Sequence, residues 1–418
     1  MLKNAFYAQS GGVTAVINAS ACGLIQTARQ HTDRIGKVLA GRDGIIGALT
    51  EDLIDTSLES DADIARLKHT PGGAFGSCRY KLKDIESQRA QYERLIEVFE
   101  AHDIAWFFYN GGNDSMDTAN KVAQMAAKMK YPLNCIGIPK TVDNDLPHTD
   151  CCPGFGSVAK YVATSIREAS FDVASMARTS TKIFVLEVMG RHAGWITAAC
   201  GLASESEGAP PHVLLFPEVP FDEGEFLAKV DESVNKHGYC TIAVSEGLHD
   251  KEGRLMAEMG GKDAFGHSQL GGVGQMVAQL IKDKLGHKYH WAMADYLQRS
   301  ARHVASATDV EQAWSLGEAA IKAALNGESA VMLAIERLSD KPYSWQVKSA
   351  PLDEVANIER KLPAEYISAD GMHITEACRT YLSPLIEGEA PPPWKNGLPD
   401  YVQLKNQSIA KKLAEFSV

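Results

Sequence analysis

Four times in the first half of the chain, a short continuous apolar run stops at a loop of glycine or closely packed charge, and a helical pattern follows. Residues 4–9 run into Ser10-Gly11-Gly12, and residues 106–109 into NGGNDS (110–115). Residues 134–138 lead to PKTVDND (139–145), and residues 183–188 to MGRHAGW (189–195). Apolar runs without polar alternation suit strands buried on both faces, as in a parallel sheet. Parallel strands need helical crossovers, so the rhythm predicts βαβ units, with further strands over 213–216 and 242–245. Met116, Ala119, Ala123 and Ala126 place one helix after NGGND, capped near Asp114 or Ser115. A second carries Val158, Tyr161, Val162, Ile166 and Ala169, and a third covers 273–285 and stops at Gly286.

With 418 residues the chain is long enough for two domains of about 100–200 residues each. A formal net charge of -11 works against nucleic acid or an anionic membrane as main partner, so any anion site must be local. The eight cysteines show no CxxC pair and no zinc-ligand spacing, which predicts reduced, buried thiols. There is no apolar signal core near the start and no run of about 18 apolar residues, so the expected location is cytoplasmic. The proline-rich segment APPPWKNGLPDY reads as a surface strap over 390–418, anchored by Trp394 and Tyr401.

In open α/β sheets ligands bind beyond the carboxyl ends of the strands, where glycine loops and helix N-termini offer backbone N–H groups to anions. All four unusual loops belong there. A single Gly-Gly pair serves any tight turn. PKTVDND is more telling, because a lysine, a hydroxyl and two carboxylates in seven residues are poorly explained by packing. That set is what phosphoryl transfer requires: cations and Mg²⁺ to hold the donor, and a carboxylate to accept a hydroxyl proton. In MGRHAGW, Arg191 stands beside glycines that admit a ligand to the backbone and is expected to contact a sugar phosphate; His192 is given no role. GFGSVA (154–159) imitates a dinucleotide fingerprint but follows an acidic loop, and is read as the entry to a helix.

SGG, GGAFGSCR, GGNDS, PKTVDND, EVMGRHAGW, SEG and YLQR, in this order, resemble the phosphofructokinases, and within them the pyrophosphate-dependent branch. The resemblance covers most of the chain. It implies two Rossmann-like three-layer α/β/α domains with a cleft between them: 1–160 plus about 297–345 for pyrophosphate and Mg²⁺, and 161–296 plus C-terminal segments for fructose 6-phosphate. It further implies phosphoryl transfer from pyrophosphate to the C1 hydroxyl of fructose 6-phosphate, reversibly, in glycolysis and gluconeogenesis, by a homodimer or homotetramer.

Residue by residue, the resemblance makes Asp143 the base, with Thr141, Val142 and Asp145 lining its pocket. Met189, Gly190, Arg191, Glu246, Tyr296 and Arg299 hold the sugar phosphate, joined by Lys182 and His290 from their own or a neighbouring subunit. Gly12 and Arg79 contact the donor phosphates, and Asn113 stands where relatives carry a metal-binding aspartate. Asp114 and Lys140 replace glycines of the ATP-dependent enzymes: Asp114 fills the space of an α-phosphate, and Lys140 supports the leaving phosphate. An ATP-dependent enzyme, a non-catalytic regulatory subunit and, on GFGSVA alone, a dinucleotide-binding oxidoreductase are the alternative readings.

Overall fold

The computed structural model describes residues 2–256, 258–262 and 268–418, without the side chains of 258–262 and 268–270. In chain order the strands are β1 (Lys3–Gln9), β2 (Ile35–Gly41), β3 (Leu53–Asp55), β4 (Ile104–Gly111), β5 (Asn134–Pro139) and β6 (Ile183–Val188). There follow β7 (Val213–Leu215), β8 (Cys240–Ser245), β9 (Glu258–Lys262), β10 (Ser268–Leu270), β11 (Tyr289–Met293), β12 (Val331–Asp340) and β13 (Tyr343–Pro351). The chain folds as a mixed α/β protein with parallel sheets, as the loop rhythm predicts.

Two compact units form, one from 1–154, 302–359 and 388–418, the other from 155–301 and 360–387. The first therefore takes in 346–359 and the tail from 388, and only 360–387 of the C-terminal segments joins the second. Its seven-stranded sheet runs β13-β12-β5-β4-β1-β2-β3. The five inner strands are parallel; β3 and β13 run antiparallel at the two edges. The β12–β13 hairpin escapes a search for continuous apolar runs, because β13 lies at an edge and is mostly half-buried or exposed. The second unit holds a four-stranded parallel sheet, β11-β6-β8-β7, and a short β9–β10 ladder.

Each sheet buries an apolar core. In the first unit Phe6, Phe99, Phe107 and Tyr109 form one ring cluster with centroids 5.3–5.7 Å apart. In the second, Val185, Ile242 and Val244 pack on Val273, Val277 and Ile281 of the helix Val273–Leu285, which ends at Gly286 in the left-handed conformation. All eight cysteines are buried and none forms a disulfide. No described helix is long and apolar enough to cross a membrane.

The tail belongs to the first unit, and of its two expected anchors Tyr401 is half-buried. Trp394 is exposed; Ile409, Leu413 and Phe416 pack on the core instead. Beneath them the buried Glu51 carboxylate accepts from the N–H groups of Lys412 and Leu413 at 2.6 and 3.0 Å and meets His102 Nε2 at 2.7 Å. Trp394 lies opposite Pro399 in a two-residue ladder whose Leu398 is also exposed, while Ile409, Leu413 and Phe416 lie on the core.

The helix that follows SGG, Ile17–Gln30, is seated on the helix Ala307–Leu325 by glycines on both partners. A Cβ on Gly23 would stand 2.1 Å from the Trp314 carbonyl oxygen, and one on Gly317 2.0 Å from that of Ser20. Backbones at that range leave no room for a methyl group. Gly317→Ala is therefore expected to cost about 1–3 kcal/mol of unfolding free energy. Urea denaturation with an unmoved midpoint would show that the helices separate freely.

Candidate active site

In the first unit the loops leaving β1, β4 and β5 are tied to one another by the backbone itself. Ser10 N–H donates to Asn110 O at 2.9 Å and Lys140 N–H to Gly111 O at 3.0 Å, so the ladder runs beyond the strand ends. The 77–81 segment joins them: Gly11 N–H donates to Cys78 O at 2.9 Å, and the Ser77 hydroxyl to Gly11 O at 2.7 Å. Gly11 has φ +75, and a Cβ there would stand 3.4 Å from Lys140 Nζ. The buried Lys140 ammonium thus lies directly over the glycine loop. Arg79, exposed, and Gly12, half-buried, belong to the same loop group.

PKTVDND is held in one shape from within. Thr141 Oγ1 accepts from Asp143 N–H at 3.1 Å and lies 3.4 Å from an Asp143 carboxylate oxygen. Asn144 adopts φ 54, and its buried amide oxygen accepts from Cys152 N–H at 2.9 Å. Thr141 and Val142 are buried, while Asp143 and Asp145 are half-buried and so reachable.

The helix Asn113–Lys128 begins earlier than the sequence suggests. Its N-cap is Gly112, with no side-chain cap bond, so Asp114 and Ser115 lie inside the first turn. Asp114 is therefore not the cap, and its carboxylate pairs with Lys81 at 2.5 Å, a partner that sequence reading missed. The Asn113 amide oxygen accepts from Asn357 N–H at 2.5 Å and its amide nitrogen donates to Ile358 O at 2.5 Å. Both ends of the amide that was expected to face a metal thus latch the 357–358 segment. Among the described residues no cluster of three His, Cys, Asp or Glu side chains is arranged for a metal ion.

In the second unit β6, β8 and β11 deliver the remaining residues. Glu246 N–H donates to Val188 O at 3.0 Å and Ala294 N–H to Glu187 O at 2.9 Å, again continuing the ladder into the loops. The Met189-Gly190-Arg191 loop is pinned by three side chains. Gln298 Oε1 accepts from Met189 N–H at 3.3 Å, Glu246 Oε1 from Gly190 N–H at 3.3 Å, and the Ser245 hydroxyl donates to Gly190 O at 2.5 Å. Gly190 has φ +137, and a Cβ on Gly247 would stand 2.0 Å from Arg191 O, so the two loops touch backbone to backbone. Tyr296 and Arg299 lie on the short helix Asp295–Ser300, the guanidinium 3.8 Å above the Tyr296 ring. Glu187, buried at the end of β6, accepts from Gly272 and Gly274 N–H at 3.1 and 2.9 Å; its burial pushes the carboxyl up despite them.

Two expected residues lie elsewhere. Lys182 precedes β6, and its ammonium donates to Ala177 O at 2.8 Å. His290 pairs with Phe184 in the β11–β6 register. At about 3.3 Å per strand residue, His290 stands about 17 Å and Lys182 about 23 Å from Met189 along the strand. A cavity of about 470 Å³ in the same unit, lined by His212, His237, His373 and Arg379 among others, contains none of the expected residues. His212 is pushed down to about 4 there by burial and by its two histidine neighbours. GFGSVA opens the helix Phe155–Met176 from a loop and not from a strand, so it lacks the setting of a dinucleotide fingerprint.

Residues 4–324 match the family model described as Phosphofructokinase. Over 417 residues the chain is 67% identical to the pyrophosphate–fructose 6-phosphate 1-phosphotransferase of Methylococcus capsulatus, covering 100% of this chain and 99% of that one. It is 64% identical over 415 residues to the enzyme of that name from Halomonas elongata, covering 99% of each. The crystal structure of the pyrophosphate-dependent phosphofructokinase from Nitrosospira multiformis, at 60% identity, superposes with a TM-score of 0.92 and covers 99% of this chain and 100% of that one. By its glycine loops, its acidic PKTVDND turn and this full-length likeness, the chain belongs to the phosphofructokinase family.

Proposed function

We infer that this enzyme transfers a phosphoryl group from pyrophosphate to the C1 hydroxyl of fructose 6-phosphate, giving fructose 1,6-bisphosphate and phosphate. The full-length identity with pyrophosphate enzymes carries the reaction. The observation that carries the donor is the Asp114 carboxylate in the first helical turn after the glycine loop, where a nucleotide's additional phosphate would need space and positive charge. One phosphoanhydride bond is exchanged for a phosphate ester without a nucleotide, so the step runs in either direction.

Asp143, half-buried and held by Thr141, takes the proton of the C1 hydroxyl as that oxygen bonds to phosphorus. The bond to the departing phosphate breaks, and the Lys140 ammonium over Gly11 neutralises the charge that collects on it. Gly12 and Arg79 hold the donor phosphates, and Val142 and Asp145 line the acceptor pocket. Met189, Gly190, Arg191, Glu246, Tyr296 and Arg299 hold the sugar phosphate, with arginine forks matched to phosphate oxygens. Lys182 and His290 act on the sugar of a second copy in a homo-oligomer.

Mg²⁺ would be held together with the pyrophosphate. The ion ordinarily keeps several waters and substrate phosphate oxygens with only one or two protein carboxylates. Asp114, in the first turn after β4, and Asp143, in the loop after β5, would offer the ion carboxylate oxygens, and it would supply charge neutralisation of the phosphates.

Asp143→Asn should leave the fold and the substrate KM values nearly unchanged and lower kcat by about 10²–10⁴-fold. A variant with more than about half the wild-type kcat removes Asp143 from this role.

Arg299→Ala should raise KM for fructose 6-phosphate far more than KM for pyrophosphate. Equal increases in both constants would contradict the sugar-phosphate assignment.

For the donor, kcat/KM is compared for pyrophosphate and ATP at matched Mg²⁺. Wild-type enzyme should prefer pyrophosphate, and Asp114→Gly should bind ATP measurably while losing pyrophosphate turnover. Lys140→Gly should lose pyrophosphate turnover with little gain in ATP binding. A wild-type preference for ATP would overturn the donor reading.

A further inference from the structure

The two elements assigned to the sugar phosphate, the Met189-Gly190-Arg191 loop and the helix Asp295–Ser300, are more than a hundred residues apart in sequence. They emerge side by side because β6 and β11 are parallel neighbours. The last register pair is Glu187 with Met293, and one further backbone bond follows, from Ala294 N–H to Glu187 O. Past that point β11 turns into the short helix and can offer no further strand carbonyl. Met189 N–H instead donates to the side-chain oxygen of Gln298.

Gln298 is the inward-facing member of YLQR. It is 1% exposed, whereas Tyr296 and Leu297 beside it are 59% and 64% exposed. Its amide is used at both ends: Oε1 accepts from Met189 N–H at 3.3 Å, and Nε2 donates to Asp295 O at 3.0 Å. Those partners also fix the orientation of the amide, because a flipped group would set donor against donor and oxygen against oxygen. Asp295 has φ +37, a conformation that a non-glycine residue holds only when its surroundings impose it. The Gln298 side chain therefore grips the first residue of the helix and the first residue of the loop together.

We propose that Gln298 is a positioning residue for fructose 6-phosphate. It stands in for the missing rung of the β6–β11 ladder and sets the spacing between Arg191, two residues after Met189, and Arg299, its own neighbour. It touches no reacting atom. Its effect falls on the sugar phosphate and not on the donor, whose residues lie on other elements. This rests on the assignment of Arg191 and Arg299 to the sugar phosphate made above.

The test is steady-state kinetics of Gln298→Met, which keeps length and removes both hydrogen bonds, with thermal unfolding measured alongside. Leaving the buried N–H and carbonyl unpaired should raise KM for fructose 6-phosphate about tenfold or more, with KM for pyrophosphate within about twofold of wild type. An unchanged fructose 6-phosphate KM, or equal increases for both substrates, would overturn the proposal. Should that variant fail to fold, Gln298→Glu decides. A protonated carboxyl can make both bonds, whereas an ionised one faces the Asp295 carbonyl with no proton to give, and burial raises its pKa toward the assay range. Its fructose 6-phosphate KM, taken as a ratio to wild type at each pH, should fall as pH is lowered from about 8 to about 6; a flat ratio would overturn the proposal. Wild-type turnover on pyrophosphate and fructose 6-phosphate is the control. Its absence defeats the reading of the reaction and this proposal with it, whereas normal wild-type turnover with an unmoved variant defeats the role of Gln298 alone.

Discussion

The backbone hydrogen-bond ladder does not stop where the parallel strands stop, and the rest of the architecture depends on that. Ser10 bonds to Asn110 and Lys140 to Gly111 in one unit, and Glu246 to Val188 and Ala294 to Glu187 in the other. Each bond locks the first residue of one functional loop to the strand beside it. A loop so held loses little further conformational entropy when it meets a ligand, which is the physical content of preorganisation. Parallel pairing makes this possible, since it gathers the carboxyl ends of several strands along one edge of the sheet.

Glycine is what lets the locked loops approach. Gly11 admits the Lys140 ammonium over the backbone, and Gly247 brings SEG against the carbonyl of Arg191. A Cβ on Gly247 would occupy the space where two loops meet, whereas at Gly11 the positive φ favours glycine, so distance sets composition at the one and backbone conformation at the other. The helix pair Ile17–Gln30 and Ala307–Leu325 obeys the same rule through Gly23 and Gly317, and so steadies the loop that precedes the first of them.

Charge is arranged locally and against the overall balance of -11. Lys140 is buried over a glycine loop, and Asp114 is paired with Lys81. Burial strengthens the field that the Lys140 ammonium sets up over that loop. The cavity lined by histidines in the second unit shows the converse. It is roomy, but it holds none of the loop residues that parallel strands bring together.

Much of this was legible in the sequence, for a local reason. A continuous apolar run, the glycine loop after it and a cluster such as PKTVDND are each written within a dozen residues, and period and turn chemistry are local properties. The strands at 183–188 and 134–138, the helix ending at Gly286 and the grouping of Lys140 with the glycine loop follow from them. The edge hairpin β12–β13, the tail anchored by Leu413 and Phe416 on Glu51, the latch from Asn113 to 357–358 and the pairing of Asp114 with Lys81 do not. Each joins segments far apart in the chain, except the hairpin, which was hidden by its half-exposed edge strand. Gln298 and Ser245 were in plain view within YLQR and SEG, yet nothing in those letters says which side chain points inward. Sequence alone determined which chemical groups stand at which strand ends; only the packing of β6 against β11, and of the loops against one another, decided which of those groups stay accessible and which hold the others in place.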